Sequence, residues 1–169
     1  RGISISSALS KLFEVCVLGI CGDLFDTSDN QFGFKCGLGC PQAIHVAQEY
    51  IESYIRGGYT AHLAAFDVIK AFPRVNHEAV LIKLFPRNIP RPVIELMSDW
   101  FERSYFDVKW FNCTSDSFTL RTGVNQGSVL VPFISALLID DIIVKCTNWE
   151  RYDKGIIIAF ADEILLITR

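Results

Sequence analysis

The chain has 169 residues, a formal net charge of −3, half of its residues apolar and 21% charged. That is enough to bury a core as one domain or two small lobes, and it excludes a disordered or low-complexity polypeptide. The longest uncharged apolar stretch, Gly127 to Ile139, is 13 residues with Pro132 inside it, short of the roughly 18 that a membrane span needs, so no membrane contact is expected.

Residues 6–20 read as a helix with Leu9, Leu12, Phe13 and Cys16 on one face. Residues 22–40, rich in Gly, Asp and Asn, read as loop. Pro41 opens a second helix with Ile44, Ala47, Ile51, Tyr54 and Ile55 inward, stopped by Gly57-Gly58. Residues 59–68 read as a mostly buried strand ending at Asp67. Asn76 has the character of an N-cap, with Val75 and Val80 as a hydrophobic staple, for a helix to about Phe85. Pro92 opens another helix, with Val93, Ile94, Met97 and Phe101 inward.

Phe106, Val108 and Trp110 alternate with Asp107 and Lys109, and Phe118 and Leu120 alternate again after the turn at 112–116. That pattern predicts a half-exposed hairpin. Pro132 to Cys146 is long and apolar enough for a buried helix. Ile156–Phe160 and Ile164–Thr168 read as short strands around Ala161-Asp162-Glu163. Helices and strands mix without regular alternation, so the class is α+β.

Charge is uneven. Residues 59–110 carry seven Lys or Arg against six Asp or Glu, while 1–58 and 111–169 are each −2. A basic middle beside acidic turns suits a phosphate track next to a metal site, and equally an ordinary solvated surface. Of the six cysteines, Cys16, Cys21, Cys36 and Cys40 are spaced like a loose zinc ribbon. Cys16 lies in an apolar run and reads as a core position instead. Asn112-Cys113-Thr114 matches a glycosylation pattern, but no secretory signal opens the chain.

Two acidic spots sit where carboxylates are costly. Asp67 follows the apolar run 63–66, and Asp162-Glu163 tips a hairpin with apolar arms. Ionised carboxylates beside a core cost several kcal/mol unless paired or metal-bound. If the two strands are neighbours, the acids converge, and a divalent cation would relieve their repulsion. On spacing alone, a turn and a solvated tip explain these acids as well. Asp140-Asp141 lies in the apolar helix, and Asp141 with Lys145 makes a plain surface pair.

The segment Gln31-Phe32-Gly33-Phe34-Lys35 with 37–40 resembles the fingers motif of reverse transcriptases from non-LTR retrotransposons of the jockey and chicken-repeat type. Residues 65–72 followed by Arg74-Val75-Asn76-His77 resemble motif A of that family. Residues 122–130 resemble motif B, and 160–166 motif C. The matches run in family order over nearly the whole chain.

The resemblance implies an α+β fold of reverse transcriptase fingers (1–58) and palm (59–169), with residues 75–122 as connecting helices and hairpin, partly fingers. The palm would have an antiparallel sheet with packed helices, and the thumb would be absent. It implies an RNA-directed DNA polymerase acting on an RNA template, a DNA primer and a dNTP. Asp67, Asp162 and Glu163 would be the catalytic carboxylates. Asp67 and Asp162, with the carbonyl of Val68, would hold two Mg²⁺ or Mn²⁺ ions, one activating the primer 3′-hydroxyl and the other neutralising the triphosphate. Phe72, with Ala71 beside it, would form the gate under the sugar. Gln126 and Gly127 would pack on nucleotide and template, and Lys35 and Arg1 would reach phosphates. Family habit implies an intracellular, nuclear site of synthesis. No protein partner follows from the sequence.

Several positions depart from the family pattern. Pro73 stands for Asp and would push Phe72 toward extended geometry. Glu163 stands for Asp, Asn125 for a basic residue, and Cys36 where the family tends to be basic. Val131 stands for a Ser that would cap the following helix, a loss of about 1 kcal/mol. Together with the first residue being Arg1 and not Met, these changes lead to an expectation of a piece of a longer, decayed copy, weak or inactive as it stands. Two alternatives stay open, a catalytically dead RNA-binding remnant of the same fold and a small zinc-stabilised interaction domain.

Overall fold

The computed structural model describes residues 4–69, 71–147 and 155–169. The chain forms two compact units, each built from two segments. One comprises Arg1–Leu24 with Phe72–Val131, the other Phe25–Ala71 with Pro132–Arg169.

The second unit is built on a three-stranded antiparallel sheet of β1 (His62–Asp67), β6 (Gly155–Phe160) and β7 (Glu163–Thr168), in the order β1-β7-β6. Helix α2 (Cys40–Arg56) covers one face and helix α5 (Val131–Thr147) the other. Ile156 and Ile158 of β6, with Ile167 of β7, pack against Ala43, Ala47 and Tyr54 of α2. Ile157 and Ala159 point the opposite way and pack with Ile164 against Ile139 and Ile143 of α5. The strand alternation of period two thus explains why β6 is apolar at every position from Ile156 to Phe160. Each fully buried Ile contributes about 1.5–3 kcal/mol.

Strand β1 is the sheet edge. Among the described residues it pairs with β7 alone, and it is largely exposed, Leu63 and Phe66 included. The expectation of a mostly buried strand is therefore corrected. The clusters under α2 and α5 are built from β6 and β7, and no residue of β1 enters either of them. The inward face of α2 is also rotated from the expected one. Ala43, Val46, Ala47, Tyr50, Ile51 and Tyr54 face the sheet, whereas Ile44 and Ile55 lie outside.

The first unit contains α1 (Ala8–Cys21), α3 (His77–Leu84), α4 (Arg91–Glu102) and two short hairpin pairings. Strands β2 (Tyr105–Phe106) and β5 (Phe118–Thr119) pair, as do β3 (Lys109–Trp110) and β4 (Cys113–Thr114). Asn76 caps α3 as expected, accepting from the Ala79 N–H at 3.0 Å, with Val75 and Val80 buried. Ile94, Met97 and Phe101 form the buried stripe of α4.

Helix α1 is rotated by roughly 120° from the expected face, and of the four residues expected inward Phe13 alone is half-buried, its ring 6.4 Å from that of Trp100. Leu9, Leu12 and Cys16 are exposed, while Glu14, Val17 and Cys21 are buried. The reason is Glu14, whose carboxylate accepts from the Ser128 hydroxyl at 2.5 Å, the Leu130 N–H at 3.1 Å and the Val129 N–H. The Ser10 hydroxyl donates to its other oxygen at 3.2 Å. An anion with four donors is stable without water, and here it sits beside the start of α5, where negative charge is favoured.

The buried face also bears on the cysteine spacing. Cys16 and Cys21 lie on one helix, one exposed and one buried. Five residues at 3.6 per turn separate them by about 140° around the axis, so they do not form a chelating pair. Among the described residues no helix is long and apolar enough to cross a membrane.

Candidate active site

Strand β1 ends at Asp67, and the β6–β7 turn, Ala161-Asp162, lies at that same end of the sheet. Asp67 is paired directly with Glu163. One step beyond, the Val68 N–H donates to the backbone carbonyl of Asp162 at 3.1 Å. Directly opposed residues of an antiparallel pair project to one face with Cβ atoms about 4.5–5.5 Å apart, so Asp67 and Glu163 share a face. Asp67 and Glu163 are exposed and Asp162 is half-buried. Among the described residues none of these three carboxylates has a hydrogen-bond or ion-pair partner.

Partnerless oxygen donors at the end of a sheet suit a hard divalent ion. Among the described residues no three His, Cys, Asp or Glu side chains are grouped closely enough to hold a metal ion together, so any ion here would rest on fewer. A site of one or two carboxylates is open by design and takes substrate phosphate oxygens as its remaining ligands. The Val68 carbonyl accepts from the Ala71 N–H at 3.3 Å, which leaves its second lone pair free for another partner.

The turn itself is strained and held. Ala161 has φ +58°, a left-handed conformation that costs a non-glycine residue about 1–2 kcal/mol. The fully buried side chain of Gln31 reaches both polar groups of its backbone. Oε1 accepts from the Ala161 N–H at 3.0 Å and from the Gly33 N–H at 2.9 Å, and Nε2 donates to the Ala161 carbonyl at 3.2 Å. The segment is anchored on β6, since the Phe32 N–H donates to Ala159 and the Ala159 N–H to Asn30, both at 2.8 Å. Gly33 lies so close that a Cβ there would stand 2.3 Å from the Ala161 nitrogen. The sequence marks Gln31 and Gly33 only as residues of the fingers motif. No local pattern marks a bond that spans 130 positions.

Lys35 of the same unit is turned into its own loop. Its ammonium donates to the carbonyls of Thr27 and Ser28, both at 2.8 Å, and lies 3.7 Å from Asp26. Asp140 is buried and accepts from the Ser28 N–H at 2.7 Å. It is an anchor for that loop, and the surface reading holds only for Asp141, which is exposed.

Phe72, Gln126 and Gly127 belong to the first unit. Phe72 opens a single 3-10 turn, Phe72–Arg74, and not the extended geometry expected before Pro73. Its carbonyl accepts from the Val75 N–H at 3.4 Å and the Val124 N–H at 3.0 Å, which holds the turn. Gly123, at φ +85°, packs on the Pro73 carbonyl, which a Cβ would approach to 2.7 Å. The Gln126 carbonyl accepts from the Ser4 N–H at 2.8 Å. A Cβ on Gly127, at φ +129°, would stand 2.5 Å from the Ser4 oxygen. Arg1 and Lys70 lie outside the described residues.

Asp67 at the end of an edge strand thus stands opposite the acidic tip of the β6–β7 hairpin, in a sheet covered by a helix on each face. Residues 1–169 match the family described as reverse transcriptase (RNA-dependent DNA polymerase), and the chain belongs to that family. It is 29% identical over 174 residues to the probable RNA-directed DNA polymerase from transposon X-element of Drosophila melanogaster, covering 100% of this chain and 19% of that protein. It is 26% identical to the RNA-directed DNA polymerase from mobile element jockey of the same organism, with the same coverage of 100% and 19%. The chain thus spans about a fifth of the length of these relatives.

Among solved structures it is similar to telomerase from Candida tropicalis in complex with a TWJ fragment of telomeric RNA. That likeness has a TM-score of 0.69 at 15% identity, over 95% of this chain and 29% of that one. Telomerase from Candida albicans gives 0.66 at 13%, over 95% and 30%. At such identities the likeness concerns the fold. The α+β reverse transcriptase fold and the retrotransposon relationship expected from the motifs are borne out. Enzymes of this family generally use divalent metal ions.

Proposed function

We propose that this chain is the polymerase segment of a retrotransposon RNA-directed DNA polymerase, joining a dNTP to a primer 3′-hydroxyl on an RNA template. The observation that carries this reading is the meeting of Asp67, Asp162 and Glu163 at one end of the β1–β7 pair, without protein partners among the described residues. Asp67 and Asp162, with the Val68 carbonyl, would hold two Mg²⁺ or Mn²⁺ ions. When bound, such ions activate the hydroxyl and neutralise the triphosphate and its leaving pyrophosphate. The chain's own part is positioning. By resemblance Phe72 and Ala71 would meet the sugar, Gln126 and Gly127 the nucleotide and template, and Arg1 a phosphate, whereas Lys35 is committed to the Thr27 and Ser28 carbonyls and holds its own loop. Glu163 carries one methylene more than the Asp that the family motif has there, and Asn125 contributes no charge, which together set a low expected rate. Synthesis in the nucleus is part of the same proposal.

Thermal melts across a Mn²⁺ series test the metal site without requiring catalysis. A ligand that binds only the folded state stabilises it by about 2.7 kcal/mol at a hundred times Kd. The unsubstituted chain should show a saturable rise in Tm, and Asp162→Asn should lose most of it. Equal shifts in the two proteins would remove Asp162 from any metal site and overturn the reading. RNA-templated primer extension then separates a weak polymerase from a silent RNA-binding remnant.

A further inference from the structure

We propose that Gln31 is a positioning residue for the metal-binding carboxylate of Asp162, acting through the backbone of Ala161. This rests on the polymerase reading of the site and goes beyond it, because Gln31 touches neither carboxylate. Three features single it out. Its side chain is fully buried, so water does not compete for its bonds. All three hydrogen bonds of its side chain serve the turn: two reach Ala161, and the third goes to Gly33, which lies against that residue. The amide orientation is also determined. Two backbone N–H groups converge on one atom, which must be the oxygen, and this leaves the NH₂ for the Ala161 carbonyl.

The consequence follows from where Ala161 stands. On its C-terminal side, the Asp162 carbonyl is bonded to Val68, the residue after Asp67. On its N-terminal side, Ala159 is bonded to both Asn30 and Phe32. Between them Ala161 adopts a left-handed conformation that alanine does not favour. Without the amide, the turn relaxes toward ordinary backbone angles, and Asp162 shifts against Asp67. Sites that hold ions between side chains tolerate little such movement.

The test uses Mn²⁺ affinity, read from the EPR signal of free Mn²⁺, beside thermal stability in EDTA. Gln31→Met removes the amide at similar volume and should weaken Mn²⁺ binding about tenfold or more. Ile156→Val, in the core of the same unit and away from the turn, should lower Tm and leave Mn²⁺ affinity unchanged. The double variant Gln31→Met with Ala161→Gly keeps the test open if the single variant fails to fold, because glycine accepts the positive φ without strain. It should recover Tm and, because the turn then keeps its angles without the amide, regain part of the Mn²⁺ affinity that the single variant loses.

A Gln31→Met protein that melts lower yet binds Mn²⁺ like the unsubstituted chain overturns the proposal and leaves the metal site intact. So does a double variant that regains Tm and none of the lost affinity, since Gln31 would then not act through the Ala161 backbone. If the unsubstituted chain gives no saturable Mn²⁺ binding, or Asp162→Asn binds equally, the polymerase reading fails and this proposal falls with its premise.

Discussion

Asp67 and Glu163 stand directly opposite each other across the antiparallel pair β1–β7, two acids on one face of the sheet. Like charges in that position are destabilising. A protein with no use for them would place one elsewhere or pair it with a cation, and among the described residues no cation pairs with either. The arrangement makes sense when something positive is to be bound there.

Glu163→Gln should therefore stabilise the chain in EDTA. The gain should be a few tenths of a kcal/mol, at the low end of the roughly 0.2–1 expected for cross-strand charge pairs, since both residues are exposed and solvent screens them. It should shrink toward zero at 1 M salt, where the Debye length is about 3 Å. Melting curves at low and high ionic strength measure it. A variant that is less stable at every salt concentration would mean that the two carboxylates do not repel.

The acids were readable from sequence because each terminates an apolar run, and period-two alternation says where such a run ends. The pairing of β1 with β7 was readable only through the motif resemblance. What sequence did not mark is instructive. Helix α1 is apolar around most of its circumference, so its periodicity does not select a face. The face was chosen by Glu14, whose partners Ser128, Val129 and Leu130 are more than a hundred residues away. Gln31 is the same case, since its amide answers a backbone turn on the far side of the chain. Single buried polar groups with remote partners leave no periodic trace, and here they decide both how α1 is rotated and how the Asp162 turn is held.

Glu14→Ala should be among the most destabilising single changes in the first unit. It leaves the Ser128 hydroxyl and the Val129 and Leu130 N–H groups buried without an acceptor, for a loss of about 3 kcal/mol or more. Glu14→Gln keeps one oxygen and should cost less. Leu9→Ala, on the exposed side of the same helix, should stay within about 0.5 kcal/mol. Urea unfolding of the three variants gives the order, and the reverse order would restore the face with Leu9 inward.

Burial raises the Cys21 thiol above its ordinary range, and this gives a pH dependence of known sign. Unfolded thiols ionise near a pKa of about 8.5. Below that value both states keep the proton, and the buried neutral thiol contributes in full. As pH rises through it, the unfolded state loses its proton and the folded state does not, so stability falls. The urea midpoint should decline as pH rises past about 8.5, and Cys21→Ala should flatten that decline. Cys16, Cys36, Cys40 and Cys113 are exposed and should react with a thiol reagent well before Cys21.

Val131→Ser tests whether restoring the family residue repairs the start of α5. The sequence reading gives a gain of about 1 kcal/mol from a helix cap. The structure gives the opposite sign, for two reasons. Val131 is only 2% exposed, and exchanging a buried valine for a hydroxyl forfeits much of the roughly 1.5–3 kcal/mol that its burial contributes. Position 131 is also the first residue of α5 and not the residue before it, and the Glu14 carboxylate already accepts from the Leu130 N–H that precedes the helix. Val131→Ser should thus lose about 1–2 kcal/mol in urea unfolding. In a Glu14→Ala background the same substitution should cost less, since its hydroxyl then offers an acceptor to donors left without one. A gain in the otherwise unchanged chain would show that α5 does need a local cap, and that the Glu14 contacts do not replace it.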